Sequence, residues 1–322
     1  MAKKIENILV VGAGTMGSGI AQVFASNNYK TVMADLKQEF LDTAWKRIDA
    51  NIDGMLEEDL CDEGYRDRVK ANLSSILNAE IPSVADQFDL VVEVIFENKE
   101  AKHDLYKILS DNCKTDCIFA SNTSGMDVFS VTEDILVNPE RLIITHWFNP
   151  PHLMKIIEVV KGPKTSDETA QAVRDLLEDC GKKPAVLNKF MPGFIVNRMA
   201  TAICRELYYM IEQGWVAPQD AENALKYTDG LRWSFEGPLE LWDFVGLDIT
   251  LTVAKDVIPT LCNETENFPA GDRLMKEGKT GVRAGEGMLR KYPDDLDEYV
   301  KKRNRRIVEM YKMMNKFEEE DA

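Results

Sequence analysis

The 322-residue chain has no apolar run of the ~18 residues that a membrane-crossing helix needs, so no transmembrane helix is expected. It is also short of positive charge. Its 39 lysines and arginines face 55 aspartates and glutamates, for a net charge of −16. Nucleic acid and anionic membrane surfaces would be repelled, so neither is expected as a partner. A polyanionic substrate would need a local basic patch. The six cysteines are scattered, and no set has the spacing of zinc ligands. No metal is expected, and scattered reduced thiols point to a cytoplasmic setting. The opening residues, Met1-Ala-Lys-Lys-Ile-Glu-Asn, contain no apolar leader core and run directly into a strand pattern. Internal repeats and low-complexity linkers are also missing.

What is present is a well-patterned globular chain, 44% hydrophobic and long enough for one large or two ordinary domains. Ile5–Val11 reads as a buried parallel strand. Gly12, Gly14 and Gly17 then fit G-x-G-x-x-G and open a helical pattern that includes Thr15 and Met16. A second strand, Lys30–Ala34, ends at Asp35. That context turns a weak motif into a dinucleotide-binding unit: glycines allow backbone and helix N-terminus to approach a pyrophosphate. Asp35 sits where a carboxylate accepts both ribose hydroxyls and repels a 2′-phosphate, so the cofactor expected is NAD.

Leu36–Leu77 reads as a helical hairpin inserted after the second strand, with breaks at Gly54 and Gly64. Between Ile48 and Tyr65 it carries acidic residues and no basic one, a pattern that commonly marks a solvated face. Phe88–Phe96 reads as another buried strand, followed by Glu97, Asn98 and Lys102; Cys117–Ala120 leads to the small polar loop Ser121-Asn-Thr-Ser124. Leu142–Thr145 delivers His146, Asn149-Pro-Pro forces a turn, and Ile156–Val160 carries Glu158. Two such runs folded back would place His146 and Glu158 in hydrogen-bonding reach. The carboxylate would fix one imidazole nitrogen and free the other to take a proton. One His–Glu pair alone could equally be a satisfied core histidine. At the carboxyl edge of a parallel sheet, however, His146, Ser124, Glu97 and the glycine loop should converge. Pro192-Gly193 marks the expected boundary between an NAD-binding domain, 1–191, and an all-helical domain, 192–322. The basic run of the last helical pattern, Asp294–Phe317, reads as a solvated face.

These motifs, in this order, resemble the L-3-hydroxyacyl-CoA dehydrogenase family over nearly the whole chain. They are Gly12–Gly19, Val91–Lys102, Ser121-Asn-Thr-Ser124, His146-Trp-Phe-Asn-Pro with Glu158, Pro192-Gly-Phe-Ile-Val-Asn197-Arg and Gly237–Asp248. The resemblance implies an α/β Rossmann-type NAD-binding domain followed by an all-α dimerisation domain, hence a homodimer. It implies His146 as the catalytic base, Glu158 as its orienting partner, and Ser124 and Asn197 as holders of the substrate oxygen. Asp35, Glu97, Lys102, Ser124 and Asn149 join the glycine loop as cofactor contacts. The reaction implied is oxidation of the 3-hydroxyl of a short-chain L-3-hydroxyacyl-CoA. The chain also raises an alternative. Its hairpin tip is acidic where the family is basic towards CoA phosphates, and Gly230-Leu-Arg232-Trp is similar to relatives acting on free hydroxy acids. On that alternative Arg232 clamps a substrate carboxylate.

Overall fold

The computed structural model describes residues 4–266 and 268–320. The first three residues, which the sequence reading carries into the first strand, lie outside them. The chain divides into two compact units, Met1–Val196 and Asn197–Ala322; the sequence reading puts the boundary at 191/192.

The first unit is built on one eight-stranded sheet. Its strands are β1 (Asn7–Val11), β2 (Lys30–Asp35), β3 (Leu73–Leu77), β4 (Leu90–Glu93), β5 (Ile118–Ser121), β6 (Leu142–Trp147), β7 (Ile156–Lys161) and β8 (Lys183–Leu187). They lie in the order β3-β2-β1-β4-β5-β6-β7-β8, all pairs parallel except β6 with β7. Successive residues of a strand face opposite sides, and this splits the apolar runs between two cores. Ile8 and Val10 pack with α1 (Thr15–Ser26), α2 (Gln38–Glu57) and the apolar face of the helix Asp167–Asp179; Leu9 and Val11 pack with Leu105, Tyr106 and Leu109 of the helix Lys99–Asn112. A fully buried Leu, Ile or Val contributes about 1.5–3 kcal/mol, so both faces of the central strands are committed to the interior. The strand order reverses between β1 and β4, which opens a crevice at their carboxyl ends.

The helical hairpin differs from the sequence reading in two places. Gly54 does not break it: α2 runs through to Glu57, because its buried stripe of Leu41, Ala44, Ile48, Ile52 and Met55 spans the glycine. Leu73–Leu77 is not helical. It follows α3 (Tyr65–Asn72) as edge strand β3, paired with β2. Phe88–Phe96 is likewise a strand only over Leu90–Glu93, since Val94–Asn98 turns across the sheet edge.

Apart from isolated bridges at Gly281, Glu286 and Lys291, the second unit is helical among the described residues. Its principal helices are Val196–Glu212, which begins one residue earlier, Pro218–Lys226, Pro238–Val245, Leu247–Val257, Pro269–Lys276 and Leu296–Glu320. The helices Pro238–Val245 and Leu247–Val257 are separated by Gly246, whose φ of +103° is a backbone state that side chains rarely adopt. No helix is long and apolar enough to cross a membrane among the described residues.

Candidate active site

The glycine loop is shaped by contacts that leave one side open. A Cβ on Gly17 would stand 1.7 Å from the Gly12 carbonyl oxygen, so the loop can close onto α1 only with glycine there. At Gly14 a Cβ would meet nothing within 4 Å. Gly14 is also the N-cap of α1, with no side-chain cap and no acidic residue in the first turn. The amides of Thr15, Met16 and Gly17 therefore point from an uncapped helix terminus toward open space, an arrangement that fits a pyrophosphate. Asp35 is fixed by two amides: Ala13 N–H donates to Oδ2 and Leu36 N–H to Oδ1, each at 2.6 Å. A cleft of about 680 Å³ is lined by Gly12, Gly14 and Asp35 together with the apolar side chains of Leu36, Phe40, Ile81, Phe96, Leu105 and Ile108. An apolar slot next to a carboxylate at the end of the second strand suits the adenine and ribose of a dinucleotide. These residues fit NAD.

At the end of β4 the chain holds a buried polar network. Lys102 donates to Glu93 Oε1 at 2.6 Å, and both side chains are 1% exposed. Glu93 also accepts from the Ile95 amide at 2.9 Å and the Ser121 hydroxyl at 2.6 Å. Lys102 reaches Glu97 at 3.4 Å, while Glu97 Oε1 accepts from the Thr123 hydroxyl at 2.6 Å and the Ser124 amide at 2.9 Å. Glu97 and Ser124, expected from the sequence to converge at this edge, are thus directly joined. Lys102 is spent on the two glutamates that position this edge. Glu93, Ser121 and Thr123 did not emerge from the sequence. The available signal was a carboxylate inside an apolar strand, which cannot stay buried unpaired.

His146 and Glu158 are direct partners in the antiparallel β6–β7 register. His146 Nδ1 and Glu158 Oε2 lie 2.7 Å apart, with His146 5% exposed and Glu158 0%. The other carboxylate oxygen accepts from the amides of Ile195 and Val196, at 2.7 and 2.8 Å. Burial would raise the Glu158 carboxyl, but the hydrogen bonds from His146, Val196 and Ile195 outweigh it and hold the group below its ordinary value. An ionised Glu158 places the proton on Nδ1 and leaves Nε2 as an acceptor. Phe148 and Phe194 flank the imidazole, with ring centroids 4.6 and 5.4 Å away. Asn122 anchors the end of β6 by accepting from the Trp147 amide at 2.9 Å. This link lies two residues before Ser124 and one after His146, and it too escaped the sequence reading.

Asn149 is exposed on the turn after β6, joined to Pro150 by a cis peptide bond. Asn197 and Arg232 belong to the second unit. Asn197 lies in the first turn of the helix Val196–Glu212. Arg232 Nη2 donates to Asp229 Oδ1 at 2.7 Å, and its buried Nε has no partner.

The model of the 3-hydroxyacyl-CoA dehydrogenase NAD-binding domain matches residues 7–190, and that of the 3-hydroxyacyl-CoA dehydrogenase C-terminal domain matches residues 193–291. The chain belongs to the 3-hydroxyacyl-CoA dehydrogenase family. It is therefore an NAD-dependent oxidoreductase acting on a CH–OH group. It is 35% identical to the mitochondrial hydroxyacyl-coenzyme A dehydrogenase of Sus scrofa, over 90% of this chain and 93% of that one. It is 30% identical to the 5-formyl-3-hydroxy-2-methylpyridine 4-carboxylate 5-dehydrogenase of Mesorhizobium japonicum, over 96% and 98%. A crystal structure of an enzyme of that second name superposes with a TM-score of 0.87 at 28% identity, covering 97% of this chain and 99% of its own. The (S)-3-hydroxybutyryl-CoA dehydrogenase of Ralstonia eutropha superposes at 0.74 with 27% identity, covering 90% and 100%.

Proposed function

We propose that this dehydrogenase oxidises the hydroxyl of a small free hydroxy acid rather than a CoA thioester. The observation that carries the reading is the state of the hairpin arginines. Arg66 donates to Asp49 and Asp53 at 2.5 Å each. Arg68 holds both oxygens of Asp62, at 2.9 and 2.7 Å, and the Ser26 carbonyl at 3.0 Å. Both guanidinium groups are thus occupied by the hairpin's own carboxylates. Lys46 and Lys70 are exposed there, but so are Asp49, Asp53, Glu57, Asp62 and Glu63. Two unit charges about 4 Å apart interact by roughly 1–4 kcal/mol between water and a protein surface, so CoA phosphates would meet net repulsion. The Mesorhizobium relative, named for a pyridine carboxylate, aligns over more of this chain than the Sus scrofa enzyme does.

In the reaction proposed, Ser124 and Asn197 hold the substrate oxygen, and His146 Nε2 takes the hydroxyl proton. Glu158 stabilises the imidazolium that forms, while Phe148 and Phe194 limit water around the ring. NAD, when bound, supplies the hydride acceptor; the glycine loop, Asp35, Glu97 and Asn149 make its site, and Lys102, read in the sequence as a further contact, is buried and acts by holding Glu97. Arg232, with a buried donor unused, is assigned to the substrate carboxylate. The homodimer implied by the resemblance belongs to the same reading, since the second unit exposes Leu239, Phe244, Ile249, Leu251, Val253 and Ile258.

The CoA-ester reading keeps the support of the family description and of the hydroxyacyl-CoA relatives. A panel of free hydroxy acids and short 3-hydroxyacyl-CoA esters, assayed with excess NAD, separates the two. The expected result is saturable NADH formation with a free acid and a kcat/KM for CoA esters at least about tenfold lower, a 1.4 kcal/mol difference. CoA esters turning over faster would overturn the proposal.

A further inference from the structure

Lys182 immediately precedes β8 and has no role in the site described above, yet it is only 8% exposed. Its ammonium donates to the carbonyls of Pro151 and Met154, at 2.8 and 2.9 Å, and lies 5.6 Å from the Trp147 ring centroid. These three residues bracket the turn that leaves β6 and carries Asn149. Across the turn from Lys182 is α1, the helix that opens with the glycine loop. Pro151 presses on α1 at Gly19, where a Cβ would fall 2.5 Å from the proline Cγ. Trp147 meets Phe24 of the same helix edge-on, with ring centroids 5.6 Å apart. The turn is therefore packed between α1 and a single buried cation.

We infer that Lys182 is a positioning residue: its ammonium clamps the turn 149–154 against α1 and so sets Asn149 and the end of β6 relative to the cofactor cradle. The inference rests on the reading of that edge as the catalytic one. A cation is a costly way to fill this space. Burying an ammonium costs more than burying an apolar side chain of similar size, so a purely structural role would be met better by methionine. Two convergent carbonyls that fix a loop give the charge something to do.

The surroundings agree. Burial pulls the Lys182 pKa down to about 8; Cys180, itself pushed up to about 12 by burial, acts in the other direction, and the Lys155 charge adds to the lowering. His152, beside it, is driven down to about 4 by burial and by Lys182, so it is neutral across the working range. The clamp is thus charged below about pH 8 and loses its proton as pH rises through that value. The stability sign runs the other way. The unfolded chain holds this proton up to the ordinary lysine value of 10.5, so the buried ammonium costs stability below about 8, and that cost fades between the two.

The test is NADH affinity, read by fluorescence titration for the full-length protein and its Lys182→Met variant, with melting temperatures for both. The expected variant melts within a few degrees of the wild type or above it. It binds NADH about tenfold more weakly, the worth of one charge-assisted hydrogen bond. Wild-type affinity should weaken as pH rises through about 8, and the variant should be flat there. A variant with wild-type affinity and turnover would overturn the inference. So would one whose affinity falls only together with a collapsed melting temperature, because that is a structural role. Binding is read without any substrate, so failure here is separate from a failure to find a free hydroxy acid that the enzyme oxidises.

Discussion

His146→Gln should lower kcat by about 10³-fold while NADH affinity stays within about twofold of wild type, since a positioned general base contributes 10²–10⁴ and does not itself bind the cofactor. Glutamine is close to imidazole in length and can keep a hydrogen bond to Glu158, so the buried carboxylate is not left alone. What it cannot do is accept a proton near neutral pH. The measurement is paired: steady-state turnover with the best substrate, and NADH titration of the same preparation. Intact binding with lost turnover assigns the defect to proton transfer. If the variant keeps more than about a tenth of wild-type kcat, a loss too small for a general base, His146 is a satisfied interior histidine after all.

Glu158→Gln is expected to cost nearly as much, about 10³-fold in kcat, although the residue touches neither substrate nor cofactor. The reason is tautomeric. Glu158 accepts from three groups, His146 Nδ1 and the amides of Ile195 and Val196. An amide side chain has one acceptor end. If its oxygen serves the two backbone amides, its NH₂ faces Nδ1 and forces the imidazole proton onto Nε2, where the substrate proton must go. If it flips, a donor faces two donors. The pH dependence of stability should change as well. The Glu158 carboxyl is held below its ordinary value of 4.5, so its ionised form stabilises the fold above that value. The contribution is lost as pH falls through the lower, folded value. Thermal melts of the wild type should therefore drop on acidification below the ordinary carboxylate range, and Glu158→Gln should lack that part of the drop. Equal kcat in the two proteins would remove Glu158 from the mechanism.

The sequence made local chemistry legible. Gly12, Gly14, Gly17 and Asp35 lie within one strand–turn–helix–strand unit, and His146 and Glu158 are one hairpin apart. The proximity of each set could be read from spacing, while the catalytic role of the His–Glu pair came from the resemblance. Glu93 could not be assigned, because its partners Lys102 and Ser121 approach from two other elements and periodicity registers only the apolar run around it. Lys182 was silent for the same reason: its acceptors are backbone carbonyls, which no side-chain pattern marks. Leu73–Leu77 was misread because five residues of Leu-Ser-Ser-Ile-Leu fit a helix turn as well as a strand, and pairing with β2 decided it. Gly54 was read as a break from its propensity cost of about 1 kcal/mol, which the buried stripe of α2 overrides.

In the proposed mechanism a carbinol hydrogen leaves as hydride to NAD while the hydroxyl proton goes to His146. The most direct measurement follows that hydrogen. The wild-type enzyme is given NAD and an accepted hydroxy acid carrying deuterium on the carbinol carbon, in ordinary water. The reduced nicotinamide ring should then hold that deuterium, and the reaction run in heavy water with unlabelled acid should leave the ring unlabelled. Deuterium washed out to solvent in the first experiment, or gained from solvent in the second, would contradict the account.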